Sequence, residues 1–293
     1  MTQSQMIQVQ SNIKNDCLYI VFELSNSRWK LLFSNGYKRR HRGIDAGDIV
    51  TLAIEIERSR EKFGMSPDVP IYSCYEAGRD GFWLHRHLEA SGINNMVVDA
   101  ASIKVDRRYR RVKTDRIDAG MLMDNLLRHV GGESKVWSVV TVPSVEEEDA
   151  RRINRERDRL KGERTGHTNR IKSLLILHGI KMKIGSKFLE ELEEVRTPSG
   201  ESLPSNLKTE ILREYDRYLL IQEQMKEIEQ AQQEILASGS LPARKVLALQ
   251  NLKGVGPVSS WYLVFEFFWR PFSNTREVGA AAGGGVSLWT EYS

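Results

Sequence analysis

Four carboxylates sit where phosphodiester chemistry would need them. Glu23 closes the apolar run Cys17–Phe22, and Glu76 follows the apolar run Pro70–Tyr75. Asp115 and Asp118 are three residues apart, a spacing that puts both on one helix face. Ends of neighbouring strands plus one helix face can gather such groups. Gathered carboxylates repel unless a cation neutralises them. Mg²⁺ (or Mn²⁺) suits an all-oxygen set, and such ions can activate an attacking oxygen and stabilise a leaving one. Spacing alone favours a plainer reading, in which Asp115 and Asp118 only complement a helix dipole. The neighbourhood shifts the balance. Lys104, Arg107, Arg108, Arg110, Arg111 and Lys113 place six cations in ten residues, with Tyr109 among them, immediately before the Asp pair. That is the electrostatic footprint of a phosphate backbone. A second candidate contact is Leu252-Lys-Gly254-Val-Gly256-Pro257, ahead of an apolar stretch. A Gly-x-Gly turn between helices lets backbone N–H groups approach a phosphate, although such turns also serve as plain connectors.

These residues need a scaffold. Cys17–Phe22 reads as a buried strand, Trp29–Phe33 as a second, Asn35-Gly36 as a tight hairpin turn and Tyr37–Ile44 as a third strand. Asp48–Phe63 has helical spacing of Ile49, Leu52, Ile56 and Phe63, with Asp48 as N-cap. Pro70–Tyr75 reads as a fourth strand, Asp80–Ala90 as a helix, Met96–Val98 as a fifth strand, and Thr114–His129 as a helix capped by Thr114. Hairpin-linked strands followed by strand–helix crossovers predict a mixed sheet flanked by helices, an α/β domain over 16–145 behind a flexible stretch, 1–15.

From Val145 the texture changes. Glu146–Asp149 opens a charged helix predicted to run unbroken to about His178, carrying Arg151, Arg152, Arg155, Arg157, Arg159, Lys161 and Arg164. Arg155 and Arg159 are the candidate phosphate contacts on it. Residues 181–204 read as a linker. A second long helix spans Ser205 to Ala237 with two interleaved seven-residue series, Ile211/Tyr218/Met225 and Ile221/Ile228/Ile235. That is a coiled-coil seam, or one amphipathic helix of a small bundle. The division is therefore 146–240 for long helices with a coiled coil and 241–293 for a helical C-terminal part, with a helix-hairpin-helix-like segment over Leu247–Phe268.

The chain has 293 residues, 40% of them hydrophobic, enough for a substantial core. Its net charge of +4 says little until the charge is located. No stretch has the ~18 apolar residues of a membrane helix. The polar N-terminus lacks a signal-peptide core, and two cysteines make no disulfide framework. The expectation is a cytoplasmic, nucleoid-associated protein that does not engage a membrane.

Taken together, Cys74-Tyr-Glu-Ala-Gly-Arg-Asp-Gly81, Lys113-Thr-Asp-Arg-Ile-Asp-Ala119, Arg170–Leu175 before His178-Gly179, Leu252–Pro257 and Phe272–Gly279 resemble the DEDD-type insertion-sequence transposases, relatives of the pilin-inversion site-specific recombinases. The resemblance spans about residues 18 to 283. It implies an RNase H-like, RuvC resolvase-like first domain, a coiled-coil insert and a C-terminal transposase domain. It also implies DNA recombination by a metal-bound acidic quartet with a C-terminal serine nucleophile. A structured guide RNA from the same element and a homo-oligomer are further implied partners. Carried over, the quartet falls on Glu23, Glu76, Asp115 and Asp118. Two departures stand out. The first position is usually Asp, but here it is Glu23. The match ends near Gly283, so no serine is assigned as nucleophile, neither Ser259 and Ser260 nor Ser287 and Ser293, and the chain reads as C-terminally truncated. The alternatives are a nucleic-acid-binding remnant without chemistry and a Mg²⁺-dependent junction-resolvase-like nuclease.

Overall fold

A computed structural model describes residues 17–78, 81–103, 119–270, 272 and 274–283. Backbone contacts divide the chain into two compact units, Met1–Val142 and Pro143–Glu291, apart from the two residues Tyr292 and Ser293.

The first unit is built on one five-stranded sheet. Its strands are β1 (Leu18–Glu23), β2 (Arg28–Ser34), β3 (Arg39–Asp45), β4 (Ile71–Glu76) and β5 (Asn94–Val98), in the spatial order β3-β2-β1-β4-β5. β1, β2 and β3 form an antiparallel meander, whereas β4 lies parallel to β1 and β5 parallel to β4. This is the mixed sheet that the strand order predicts. Central β1 is buried on both faces, as its unbroken apolar run requires. The connection after β2 is wider than a two-residue hairpin turn. Ser34 pairs with Arg39, leaving four residues between them. The Asn35 side chain accepts from the N–H groups of both Tyr37 (3.1 Å) and Lys38 (2.8 Å), and that Asx-type turn holds the wider loop.

Helix α1 (Ile49–Phe63) starts where Asp48 accepts from the N–H of Thr51 at 2.9 Å and stops at Gly64, which has φ of 68°. Helix α2 (Trp83–Ala90) begins later than expected. β5 begins two residues earlier, because polar Asn94 and Asn95 find partners in Ile71 and Ser73 of β4. One face of the sheet buries Phe22 edge-on against Trp29, which lies 5.8 Å from Trp83 of α2. The other face packs Tyr19, Val21, Leu32, Cys74 and Val98 against Leu122, Met123 and Leu126 of helix α3 (Ala119–Val130). Thr114 and the expected first turn of that helix lie outside the described residues.

The second unit is helical among its described residues. Helix α4 (Val145–Ala150) opens with a capping box, Ser144 accepting from the N–H of Glu147 while Glu147 accepts from that of Ser144. The predicted continuous helix is interrupted at Arg151, and α5 (Arg152–Ile176) follows. The Arg151 guanidinium turns back to the Glu147 carbonyl (3.1 Å) and stacks over Trp269 at 4.2 Å, so a buried side chain sits at the break. The predicted linker contains helix α6 (Phe188–Glu194) and a bridge between Arg196 and Ser202. Phe188, Leu192 and Leu203 plug the end of the α5–α7 pair, which orders the segment. Helix α7 (Ser205–Ala237) runs antiparallel to α5: Leu175 shares a core cluster with Ile211, and Leu160 shares one with Met225 and Ile228. The heptad seam is thus filled within the chain. Helix α8 (Leu241–Gln250), a turn, α9 (Pro257–Tyr262), a π-helical turn (Leu263–Phe267) and α10 (Thr275–Gly283) complete the described residues.

Candidate active site

The strand register brings two of the four predicted carboxylates together. β1 and β4 pair from Leu18↔Ile71 to Phe22↔Tyr75, so the next step sets Glu23 beside Glu76 at the carboxyl ends of both strands. Side chains alternate along a strand. Glu23 therefore follows Tyr19 and Val21, and Glu76 follows Tyr72 and Cys74, onto the face covered by α3. Ala119, the first residue of α3, is buried in that same cluster. Asp115 and Asp118, together with Lys104, Arg107, Arg108, Arg110, Arg111 and Lys113, lie outside the described residues. Glu23 faces Lys30 of β2 and forms an ion pair with it at 3.2 Å. Burial pushes the Glu76 carboxyl above its usual range, and the charge of Asp99 adds to the push.

Asp99 is the acid that strand-end reasoning missed. It follows β5 directly, the same position rule that singled out Glu23 and Glu76. Its carboxylate accepts from the N–H of Ala101 at 2.9 Å. Its backbone N–H donates to Ser138, and the Ser102 hydroxyl donates to its carbonyl at 2.6 Å while accepting from the N–H of Ser138 at 2.7 Å. This knot fixes the chain just before the basic segment. Among the described residues, no three His, Cys, Asp or Glu side chains gather as a metal site. The groups that the register sets side by side, Glu23 and Glu76, are carboxylates, and the charge of a further anion, Asp99, acts on Glu76. That chemistry fits a hard divalent cation such as Mg²⁺ or Mn²⁺.

No family model matches the chain. A protein of Sinorhizobium fredii, y4rJ, whose name marks it as a candidate transposase, is 38% identical over 289 residues, covering 93% of this chain and 72% of that protein. The chain belongs to this transposase family. It is also similar to the transposase of insertion sequence element IS1533 from Leptospira borgpetersenii, 30% identical over 220 residues, covering 71% of this chain and 58% of that one.

In this transposase the remaining predicted contacts lie in the second unit. Gly254 has φ of 91° in the turn between α8 and α9, and Gly256 is the N-cap of α9. A Cβ at either position would meet nothing within 4 Å, so both backbones face open space. Arg155 is gripped by both oxygens of Glu266 at 2.9 and 2.8 Å, and Arg159 pairs with Glu163 at 3.4 Å. Ser260 is buried, donating to the Pro257 carbonyl and accepting from Gln250, which is a structural role. Ser287 and Ser293 lie outside the described residues. Among the described residues no helix is long and apolar enough to cross a membrane.

Proposed function

We propose that the chain acts on DNA phosphodiesters as a DEDD-type transposase, with Glu23, Glu76, Asp115 and Asp118 holding Mg²⁺ or Mn²⁺ on an RNase H-like sheet and with no serine assigned as nucleophile. The in-register placement of Glu23 and Glu76, on the face where α3 begins one residue after Asp118, carries this reading. Held by these carboxylates, a divalent ion would supply stabilisation of the negative charge that develops at the phosphate and activation of the attacking oxygen. Lys30 neutralises Glu23 in the absence of other cations and keeps its carboxylate extended toward β2. Burial and the charge of Asp99 both disfavour the ionised form of Glu76, and a cation would offset both. The basic run Lys104–Lys113 meets phosphates by charge, and the N–H groups around Gly254 and Gly256 meet them at the second unit. A guide RNA, self-assembly and kinship with the pilin-inversion recombinases belong to this reading through the resemblance alone.

The test is calorimetric titration of the full chain with Mn²⁺, beside Glu76→Gln and Asp118→Asn. The expected result is metal binding by the parent and a loss of about 10–100-fold in each variant, the scale at which well-placed ligands and their supports act. Equal affinity in all three proteins would overturn the quartet.

A further inference from the structure

Helix α5 sorts its cations by side. Arg152, Arg155, Arg159 and Arg170 have carboxylate partners in Asp149, Glu266, Glu163 and Glu210. At roughly 100° per residue these four fall within one arc of about 60°. Arg157, Lys161, Arg164 and Lys172 follow the spacing i, i+4, i+7, i+15 and fall within a second arc of about 80°. The two arcs are centred roughly 170° apart. The seam against α7, formed by Leu160, Ile171 and Leu174, runs between them, and at the C-terminal end of α5 Leu175 carries it into the second arc between Arg164 and Lys172. Among the described residues, none of the second four has a carboxylate within the 4.0 Å of an ion pair. Lys161 and Lys172 are exposed, and Arg157 and Arg164 are partly so. The nearest acid of α5 on that side, Asp158, lies at the outer edge of the arc. On the opposite flank an acid from α7 answers an α5 side chain, Glu210 meeting Arg170 at 2.6 Å, while Glu214 meets His167 at the seam.

We propose that the Arg157–Lys161–Arg164–Lys172 flank of α5 is a docking surface for the phosphate backbone of duplex DNA. The inference rests on the DNA partner proposed above, and it moves the phosphate contacts of this helix from Arg155 and Arg159 to the four unpaired cations. Charge complementarity names the occupant. The stripe runs straight for fifteen residues, about 22 Å, the rise of roughly six to seven base pairs. Thr168, between Arg164 and Lys172, keeps the line polar, its hydroxyl donating to the Thr165 carbonyl at 2.9 Å. Phosphate contacts carry no base readout, so the surface orients DNA without choosing its sequence.

The experiment measures binding of the full chain to a 25-base-pair duplex by fluorescence anisotropy, in EDTA, over a series of KCl concentrations. In EDTA the quartet is uncharged with metal, so failure of the metal site leaves the result unaffected. The variant R157Q/K161Q/R164Q/K172Q is expected to flatten the slope of log K against log salt by about 3–4, near 0.9 per lost phosphate contact. The opposite-flank variant R152Q/R170Q is expected to keep the parental slope. If the quadruple variant folds poorly by circular dichroism, the pairs R157Q/K161Q and R164Q/K172Q serve instead, each removing about two units of slope. An unchanged slope overturns the docking surface, as does equal flattening from both flanks. A loss seen with structured RNA but not with duplex DNA also overturns it. No duplex binding by the parent chain overturns the DNA partner along with the surface.

Discussion

Among the described residues of the first unit, Glu55 is the side chain that gathers three arginines. Its carboxylate is 8% exposed and meets Arg40 at 2.5 Å, Arg58 at 2.8 Å and Arg42 at 3.2 Å. Burial pushes its pKa up, but hydrogen bonds from Arg58 and Arg40 outweigh burial and hold it below the usual carboxylate range. Arg40 is buried as well. Glu55→Ala strands that charge, and the expected cost is about 3–5 kcal/mol by urea unfolding at pH 7. Replacing both partners, Glu55→Leu with Arg40→Met, is expected to recover most of the loss. Glu214 carries a pH signature. Its hydrogen bond with His167 holds its carboxyl below the ordinary range. The folded state thus binds fewer protons there than the unfolded chain. The stabilisation is complete above the ordinary carboxylate pKa and fades as pH falls through the lowered value. Unfolding of Glu214→Gln at successive pH values should therefore converge on the parent as the medium turns acid. A gap that stays constant would disprove the linkage.

At the scale of elements, turns and caps decide where the helices stop. Gly179 closes the stretch after α5 with φ of 72°, and a Cβ there would lie 2.7 Å from Cγ of Pro198. Gly179→Ala meets both backbone strain and a clash, for an expected loss of about 2–4 kcal/mol in chemical denaturation. A loss below about 0.5 kcal/mol would mean that the Pro198 loop yields freely. The capping box at α4 is a milder case. Ser144→Ala removes the acceptor for the N–H of Glu147, and about 1 kcal/mol should go with it. The pairing of α5 with α7 follows from their apolar faces, whereas the flanking charges set which sides face each other: Arg170 with Glu210, His167 with Glu214.

Across the whole molecule, each unit buries its own apolar clusters, the first between sheet and α3 and the second around the α5–α7 pair. Glu55 and Gly179 belong to different units and share no partner. Their costs should add to within about 0.5 kcal/mol in the double variant. Coupling well beyond that would show the two cores to be energetically linked. Net charge is a whole-molecule property too, but +4 conceals its own layout. Cations of α5 are divided into a paired and an unpaired flank, and only the second is available to a polyanion without breaking an ion pair.

Local pattern was enough for much of this. The five strands, the Asp48 cap, the helix from Ser205 to Ala237 and the Gly254 turn were legible because alternation, heptads and turn residues act over a few positions. So was the placing of Glu23 and Glu76 at strand ends. Tertiary structure decided what depends on partners far along the chain. The order β3-β2-β1-β4-β5 sets Glu23 level with Glu76, and a register shift of one residue would have sent one of them to the other face. The break at Arg151 needed Trp269, and the order of residues 188–203 needed the open end of α5 and α7. Arg155 and Arg157 look alike in a charge run, yet Glu266, more than a hundred residues away, neutralises one and leaves the other unpaired. Sequence states which groups a chain carries, but only the folded contacts determine which of their charges are already spent.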